Sequence, residues 1–448
     1  GSLRGSMMFE KYDAYKDSGV EWLGTIPSNW DIFSLKRSID GCFNGLWGSD
    51  PKENNDDIVV LRVADFDRNK LVIDNSKLTL RNIKKSEIGN RLLKKGDLLI
   101  EKSGGGDKTL VGCVVLFNEN YKALTSNFVA KMTSKSNVNS YFLNYFFAAL
   151  YANNINYQSI KQTTGIQNLD TNSYLNEKLA LPSLHEQEAI VSFLNQKTSE
   201  IDQAIAIKEQ QIALLNERKQ IVIQKAVTQG LDPNVLMKDS GLNGVGNIPQ
   251  DWEVIKFKYL AKVRYGLGQP PRQLDNGLKI IRATNVERGK IVEKGMLYID
   301  PNDIPWDRNP TLNKDEIIVV RSGAYTGDSA IVTEEYAGSI AGYDMVATPF
   351  NCYPKFLSTV LLSHYVLYEQ IYLLRMRSAQ PHLNAEELNE LQIVVPPMNQ
   401  QQLIANYIEK VEVDIGEAIS LIKQQLEKLK EYKTTLINDA VTGKIKVA

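Results

Sequence analysis

The 448-residue chain contains two copies of one unit of more than 200 residues. Asp17–Trp30 and Asp239–Trp252 are identical at seven of fourteen positions without a gap. Further matches follow in the same order: residues 60–72 with 280–292, 96–104 with 315–323, and 142–228 with 356–442. A duplicated unit of this length exceeds a solenoid repeat, so each copy is expected to be a domain with its own core.

Each copy ends in a run of residues that steps by four and three, the heptad spacing of a coiled coil. Two runs in one chain are expected to pair, and a single amphipathic helix lying on a domain is the weaker alternative. The first run leads from copy one to copy two, so the second must run back, antiparallel, and bring the chain's end near its start. The seam positions are Ile201, Ile205, Lys208, Ile212, Leu215, Lys219, Val222 and Ala226, then Ile415, Ile419, Ile422, Leu426, Leu429, Lys433, Leu436 and Ala440.

Short β-branched runs begin each copy and helical patterns end it, which predicts an α+β protein. We expect two similar α/β heads separated by two long antiparallel coiled-coil helices, with an approximate internal two-fold axis. Ser183 and Asn399 are candidate helix caps, because Glu186 and Gln402 follow three residues later. Gly1–Ser6 resembles an expression scar, so the natural start is expected at Met7 or Met8. The expected segments are residues 7–181 (head 1), 182–230 (first long helix), 231–395 (head 2) and 396–448 (second long helix).

Composition argues against several classes of protein. Cys42, Cys113 and Cys352 are too few and too widely spaced for a disulfide framework, and the three histidines lack zinc-ligand spacing. We therefore expect no metal and no cofactor, and with no signal peptide or membrane-length apolar stretch a cytoplasmic location is expected. The net charge is −1, so DNA binding would require basic residues sorted onto one face, or a partner that supplies more charge.

Three pairs of motifs lie in order over nearly the whole chain: Ile26–Trp30, Gly165–Leu169 and Leu181–Gln187, then Ile248–Trp252, Ala379–Leu383 and Val395–Gln401. Together these motifs closely resemble one family, the DNA specificity (S) subunits of type I restriction-modification systems. Gln400 departs from the acidic residue that this family often has before its glutamine.

The resemblance implies a non-catalytic subunit whose heads each recognise one half of an interrupted DNA sequence, while the long helices fix the spacing. The implied partners are double-stranded DNA, two methyltransferase (M) subunits and motor-nuclease (R) subunits, with no membrane. The sequence agrees, because no methylation motif is present and Lys102–Thr109 lacks the glycine spacing of a phosphate loop. That stretch is either a flexible turn or a loop at the DNA backbone. A non-catalytic coiled-coil scaffold with protein-binding heads is the alternative function.

Residue types suited to DNA occur at matched places in both heads. Arg, Gln and Asn suit base edges, whereas Lys, Arg, Ser and Thr suit phosphates. A polar tract at residues 158–168 recurs at 375–382, although a solvated loop would look the same. Arg62 and Arg282 lie within strands, where an outward, ion-paired side chain is favoured. The predicted DNA-binding residues are Trp47, Lys102, Ser103, Lys161, Thr163, Thr164, Gln167 and Asn168 in head 1, and Tyr265, Gln269, Arg272, Arg321, Ser322, Tyr325, Arg375, Arg377, Gln380 and His382 in head 2.

Overall fold

The computed structural model describes residues 9–105, 109–163, 165–375 and 381–447. The chain forms two compact units, Gly1–Lys208 with Gln424–Ala448, and Glu209–Lys423. Within the described ranges every helix is too short or too polar to span the hydrocarbon layer of a membrane.

The first unit contains head 1, the first part of one long helix and the last part of another. Its helices are α1 Lys85–Ile88, α2 Ser140–Ala152, α3 Thr171–Tyr174 and the start of α4 Leu184–Gln229. Its strands are β1 Tyr15–Asp17, β2 Thr25–Pro27, β3 Asp31–Ser34, β4 Ile39–Asn44, β5 Asp57–Leu61, β6 Phe66–Asp67, β7 Val72–Ile73, β8 Leu80–Asn82, β9 Leu98–Glu101, β10 Ser103–Gly104, β11 Val114–Leu116, β12 Ala123–Thr125, β13 Val129–Ser134, β14 Ile160–Thr163, β15 Ile166–Leu169 and β16 Lys178–Leu181.

The second unit contains head 2 and the remaining parts of the two long helices. Its helices are α5 Pro354–Leu361, α6 His364–Val366, α7 Tyr372–Arg375, α8 Ala385–Glu390 and the start of α9 Met398–Val441. Its strands are β17 Met237–Asp239, β18 Asn247–Pro249, β19 Glu253–Lys256, β20 Ala261–Tyr265, β21 Gln273–Ile281, β22 Val286–Glu287, β23 Lys290–Ile291, β24 Leu297–Ile299, β25 Ile317–Val319, β26 Ser329–Ile331, β27 Ile340–Ala341, β28 Met345–Pro349 and β29 Gln392–Val395.

The two heads share most of their sheet topology, and the mixture of strands and helices confirms the predicted α+β class. The largest sheet of head 1 contains the order β4-β13-β9-β11, and head 2 repeats it as β20-β28-β25-β26. The smaller sheet β12-β5-β8 recurs as β27-β21-β24, and the two-stranded pairs β16-β3 and β1-β2 recur as β29-β19 and β17-β18. Position-by-position comparison of the heads therefore rests on strand register as well as on sequence.

The heptad seam is confirmed along both long helices. Every predicted seam residue is buried or half-buried. In the first unit, Nζ of Lys433 on α9 lies 2.7 Å from Oδ1 of Asp202 on α4, and Nζ of Lys208 donates to Oε1 of Gln425 at 2.6 Å. The α9 residue number falls as the α4 residue number rises, so the helices pack antiparallel there. The N–H of Lys446 also donates to the carbonyl of Glu10 at 2.7 Å, as expected if the chain's end returns to its start.

A buried tryptophan joins each head to the helix that follows it. The indole of Trp30 donates to Oε1 of Glu186 at 3.0 Å, and that of Trp252 donates to Oε1 of Gln400 at 2.8 Å. A carboxylate and a neutral amide therefore serve as the same acceptor, and the departure from the family pattern at Gln400 keeps this contact.

The next residue of each helix closes the junction. The side chain of Gln187 donates to the carbonyl of Pro182 at 2.9 Å and accepts from the N–H of Asn139 at 2.7 Å. Gln401 makes the same pair of bonds, to Pro396 at 2.8 Å and from Tyr353 at 2.8 Å. Both glutamines are buried, and a buried amide with satisfied hydrogen bonds fixes the angle at which the helix leaves the head.

The two expected helix caps differ in outcome. The hydroxyl of Ser183 accepts from the N–H of Glu186 at 3.3 Å, as a cap does. Asn399 lies inside α9, which begins one residue earlier at Met398. The carbonyl of Pro397 instead accepts from the N–H groups of Gln400 and Gln401. Pro397 lies immediately before the first helical residue, where its missing N–H costs no hydrogen bond.

Candidate nucleic-acid interface

In head 1 the predicted polar tract folds back onto the predicted strand end. The tract forms the hairpin β14–β15, and β10 adds to it as a third strand. Across this sheet Lys161 pairs with Asn168, and Asn168 pairs with Ser103. The hydroxyl of Ser103 lies 2.6 Å from Oδ1 of Asn168, and Nζ of Lys102 donates to Oδ1 of Asn44 at 2.5 Å. The fold therefore groups amide, hydroxyl and cationic side chains that lie far apart in sequence.

Head 2 brings the matching residues together with the same backbone pairing. Ser322 forms a β-bridge with His382. The N–H of Leu383 donates to the carbonyl of Arg321 at 2.8 Å, as Leu169 does to Lys102 at 2.8 Å. The guanidinium of Arg321 lies 4.6 Å from the ring centre of Tyr265, 4.3 Å from that of Tyr343, and within 3.4 Å of Nε2 of His382.

We call these two groups the strand-end clusters: Asn44, Lys102, Ser103, Lys161 and Asn168 in head 1, and Tyr265, Arg321, Ser322, Tyr343 and His382 in head 2. Each lies beside a glycine that the backbone requires. A Cβ on Gly45 would come within 2.0 Å of the carbonyl oxygen of Thr125, and one on Gly266 within 2.0 Å of that of Gly342. Because these glycines fix Asn44 and Tyr265 at equivalent places, the heads present different side chains on one frame.

Phe128 and Tyr343 were not predicted from the sequence. Phe128 and Tyr343 are about half exposed and lie next to the cluster loops. The carbonyl of Phe128 accepts from the N–H of Lys102 at 2.8 Å. An exposed aromatic ring beside a cation is suited to stacking on a base or sugar. Neither Phe128 nor Tyr343 belongs to a matched polar motif. Only an alignment of the two copies strand by strand would have identified them.

Four predicted residues lie in other loops. Trp47 packs under the guanidinium of Arg81 at 4.6 Å and is about one-third exposed. Arg272 forms an ion pair with Asp300, which raises the pKa of Arg272. Gln269 is exposed on the loop between β20 and β21, and Tyr325 is exposed on the turn before β26.

The remaining predicted residues are placed unevenly. Gln167 is buried, and its Oε1 accepts from the N–H of Val111 at 3.2 Å, so its side chain supports the loop of Val111. Lys161 pairs with Asp170 at 2.8 Å while staying largely exposed, and this hydrogen bond lowers the pKa of Asp170. Thr164, Arg377 and Gln380 lie outside the described residues, as do the side chains of Thr163 and Arg375.

Arg62 and Arg282 occupy one position but have different partners. Both arginines lie directly after strands β5 and β21, whereas the sequence had indicated positions within the strands. Arg62 forms the expected ion pair, with Asp65 at 2.9 Å. The head-2 residue that matches Asp65 is Asn285, whose Oδ1 accepts a hydrogen bond from the backbone N–H of Arg282 at 3.3 Å. The Arg282 guanidinium donates instead to the carbonyl of Gly295 at 2.8 Å, and its Nε is buried without a hydrogen-bond partner among the described residues.

Asp344 is a buried carboxyl at the edge of the head-2 cluster. Its Oδ1 accepts from the N–H of Arg321 at 3.2 Å. Burial raises the pKa of Asp344 to about 6, against the lowering effect of backbone hydrogen bonds from Arg321 and Ala283 and of the Arg321 charge. The N–H of Gly266 donates to the carbonyl of Asp344, and the N–H of Gly45 donates to the carbonyl of Val129. Val129 is therefore the residue of head 1 equivalent to Asp344.

The described residues contain no group of three or more His, Cys, Asp and Glu side chains that could hold a metal ion. What the clusters offer is hydrogen-bond donors, acceptors and aromatic faces. These groups suit recognition of a polar, planar or anionic surface.

Comparison with known proteins agrees along the length of the chain. The family model described as the type I restriction modification DNA specificity domain matches twice, over residues 27–217 and 249–431. A Methanocaldococcus jannaschii protein named for the type I restriction enzyme MjaX specificity subunit is 25% identical over 450 residues, covering 98% of this chain and 99% of the relative. The MjaVIII specificity subunit of the same organism is 26% identical over 339 residues, covering 73% and 75%.

Solved structures share the fold. A chain from a study of complex assembly and conformational transition in a type I restriction-modification system superposes with a TM-score of 0.68 at 14% identity, covering 93% of this chain and 98% of that one. The HsdS subunit from Thermoanaerobacter tengcongensis gives 0.52 at 15% identity, covering 94% and 98%. Since the family model covers most of the chain in two copies, the protein belongs to the family of type I restriction-modification DNA specificity subunits.

Proposed function

We propose that each head binds one half of an interrupted DNA sequence through its strand-end cluster. The observation that supports this most directly is that the two strand-end clusters share one backbone arrangement but carry different side chains. Lys102 beside Asn44 in head 1 corresponds to Arg321 between two tyrosines in head 2. A shared frame can position both heads on the DNA backbone, while the differing side chains select different bases. Catalysis belongs to partner subunits, and methyl transfer by the purified chain alone would contradict that assignment.

The test is to change each cluster separately in the assembled methyltransferase complex. Arg321→Ala should weaken recognition of one half-site, and Lys102→Ala of the other. A lost base contact should cost roughly 1–3 kcal/mol at its base pair. Binding to duplexes with single base-pair changes measures this directly. Lys256→Ala is the matched control, because it removes a positive charge of head 2 that pairs with Glu390 on an exposed surface.

Two outcomes would contradict the assignment. If Arg321→Ala and Lys102→Ala weaken binding to every sequence equally, the clusters contact only the DNA backbone. If neither substitution changes affinity or methylation pattern, and the chain retains its protein partners, the heads are protein-binding modules on a coiled-coil scaffold.

We also propose that the long helices bind two methyltransferase subunits. Leu214 and Ile221 of α4 lie one heptad apart and are 54% and 49% exposed, outside the seam that pairs α4 with α9. Ile207 continues this spacing and is 56% exposed. An apolar stripe at heptad spacing is the pattern by which a further helix packs on a helix pair.

Native mass measurement tests the docking proposal. We expect two methyltransferase subunits per copy of this chain, and weaker assembly for Leu214→Asp than for the exposed-residue control Glu217→Ala. A complex that saturates at one methyltransferase, or one that Leu214→Asp leaves intact, would contradict it. Motor-nuclease subunits are expected to join this complex.

A further inference from the structure

Head 2 contains a cavity of about 270 Å³ beside its strand-end cluster. Its lining combines apolar residues with the side chains of Arg282, Thr284, Ser322, Tyr343 and Asp344. The volume is several times the roughly 30 Å³ of one water molecule, which is enough for a planar bicyclic ring. Tyr343 is about half exposed, so the lining reaches the surface of the head.

Arg282 and Ser322 match Arg62 and Ser103 of head 1, but three residues at or next to this cavity differ between the heads. Asp344, Thr284 and Asn285 stand where head 1 has Val129, Ala64 and Asp65. In head 1 the carboxylate of Asp65 neutralises Arg62 at 2.9 Å. In head 2 the change to Asn285 removes that carboxylate, and Nε of Arg282 stays buried without a partner among the described residues. A buried donor without an acceptor is costly, so a ligand that offers an acceptor here would offset that cost.

The same cavity offers acceptors. Asp344 is 3% exposed and receives backbone hydrogen bonds from Arg321 and Ala283. An ionised carboxylate has about four lone-pair positions, so roughly two remain for a ligand. The ligand should therefore present two N–H donors side by side together with a carbonyl oxygen. Of the DNA bases, guanine has this edge.

We propose that this cavity receives one unstacked guanine of the DNA bound by head 2. Asp344 accepts from its ring N–H and amino group, Arg282 donates to its carbonyl oxygen, and Tyr343 stacks on its face. A cavity cannot admit a base that remains stacked in the duplex, so the guanine must leave the stack. Unstacking is unfavourable, and in proteins that extrude bases the contacts made in such a pocket offset it. The inference rests on the proposed function of head 2 and adds a site whose buried carboxyl, Asp344, is replaced by Val129 in head 1.

The experiment uses the assembled methyltransferase complex and duplexes that carry its target. 2-Aminopurine is placed beside each guanine of the head-2 half-site and of its flanking base pairs, because its fluorescence rises when a neighbour unstacks. Separately, each guanine is replaced by inosine, which lacks the amino group. We expect fluorescence to rise at one position, and inosine at that position to weaken binding about tenfold or more, as for a lost hydrogen bond to a charged group.

Two variants connect the effect to the cavity. Asp344→Asn is nearly isosteric and keeps an oxygen for the N–H of Arg321, but it replaces the other oxygen by a donor. It should reduce the penalty for inosine to less than about twofold and abolish the fluorescence change. Asn285→Asp gives Arg282 the carboxylate that Arg62 has in head 1, and should also weaken the guanine preference. An unchanged preference at the other base pairs of the head-2 half-site shows that head 2 of each variant is folded.

The possible failures are distinguishable. If the wild-type complex shows no sequence preference at the head-2 half-site, the proposed function of that head fails. Three results would contradict the guanine pocket while leaving the function of head 2 intact. The head-2 half-site could contain no guanine, the 2-aminopurine fluorescence could stay unchanged, or Asp344→Asn could leave the inosine penalty as it is in the wild type.

Discussion

At the scale of single residues, comparison of equivalent positions in the two copies distinguishes contacts that maintain the fold from contacts that differ between the heads. Gln187 and Gln401 make the same two hydrogen bonds, and Trp30 and Trp252 donate to equivalent residues. Sequence comparison identified these residues because fold contacts tolerate little change. The burial of Gln167 and Asp344 was not predictable, because it depends on loops that sequence patterns do not place.

Asp344 should make stability depend on pH. Its pKa of about 6 lies above the ordinary value of about 3.9, so the folded protein holds this proton more tightly than the unfolded chain does. The stabilisation from the proton is fully present below about pH 4 and is lost as pH rises through about 6. Relative to Asp344→Asn, the wild-type free energy of unfolding should fall by about 2 kcal/mol between about pH 4.5 and 7.5.

Denaturant unfolding of both proteins across that pH range measures the difference. Ser322→Ala, beside the same cavity, removes no titratable group and should follow the wild-type pH dependence. A constant difference between wild type and Asp344→Asn would mean that Asp344 titrates alike in the folded and unfolded states.

At the scale of elements, periodic segments were predictable and irregular ones were not. The heptad positions describe the seam because a long helix repeats one geometry, and the seam alone decides which face is buried. The three-stranded sheet β10-β15-β14 was not visible in the sequence. Its strands are short and polar, and what pairs them is the distant strand end at Ser103.

The length of the helix pair is expected to set the distance between the two half-sites. Lys208 faces Gln425 in the antiparallel pair, and continuing this register puts the segment after Ile212 opposite the segment before Ile422. Four residues added to each segment lengthen the pair by about 6 Å and keep the seam nearly aligned. Base pairs stack about 3.4 Å apart, so the spacer should grow by one or two base pairs.

Mapping methylated bases in cells that carry the lengthened chain measures the spacing. Four exposed residues of the same segments changed to alanine, without insertion, form the control and should leave the spacing unchanged. A folded, methylating complex that keeps the original spacer after the insertion would mean that the helices do not set it.

At the scale of the whole molecule, duplication followed by divergence would explain the proposed recognition of two different half-sequences by one chain. Both heads use one sheet topology and one junction to the helices, whereas the strand-end clusters differ. A head should therefore be transferable between the two positions. Replacing residues 249–395 by residues 27–181 keeps a matched junction, because Gln400 can accept from Trp30 as Glu186 does.

Methylation mapping of a complex with this double-head-1 chain is the most direct test of the central claim. If each head independently recognises one half of the target, the half assigned to head 2 disappears, and the modified sequence becomes two inverted copies of the head-1 half with the original spacer. If the complex assembles and still modifies the original two-part sequence, or requires only one copy of the head-1 half, the heads do not divide the recognition in this way.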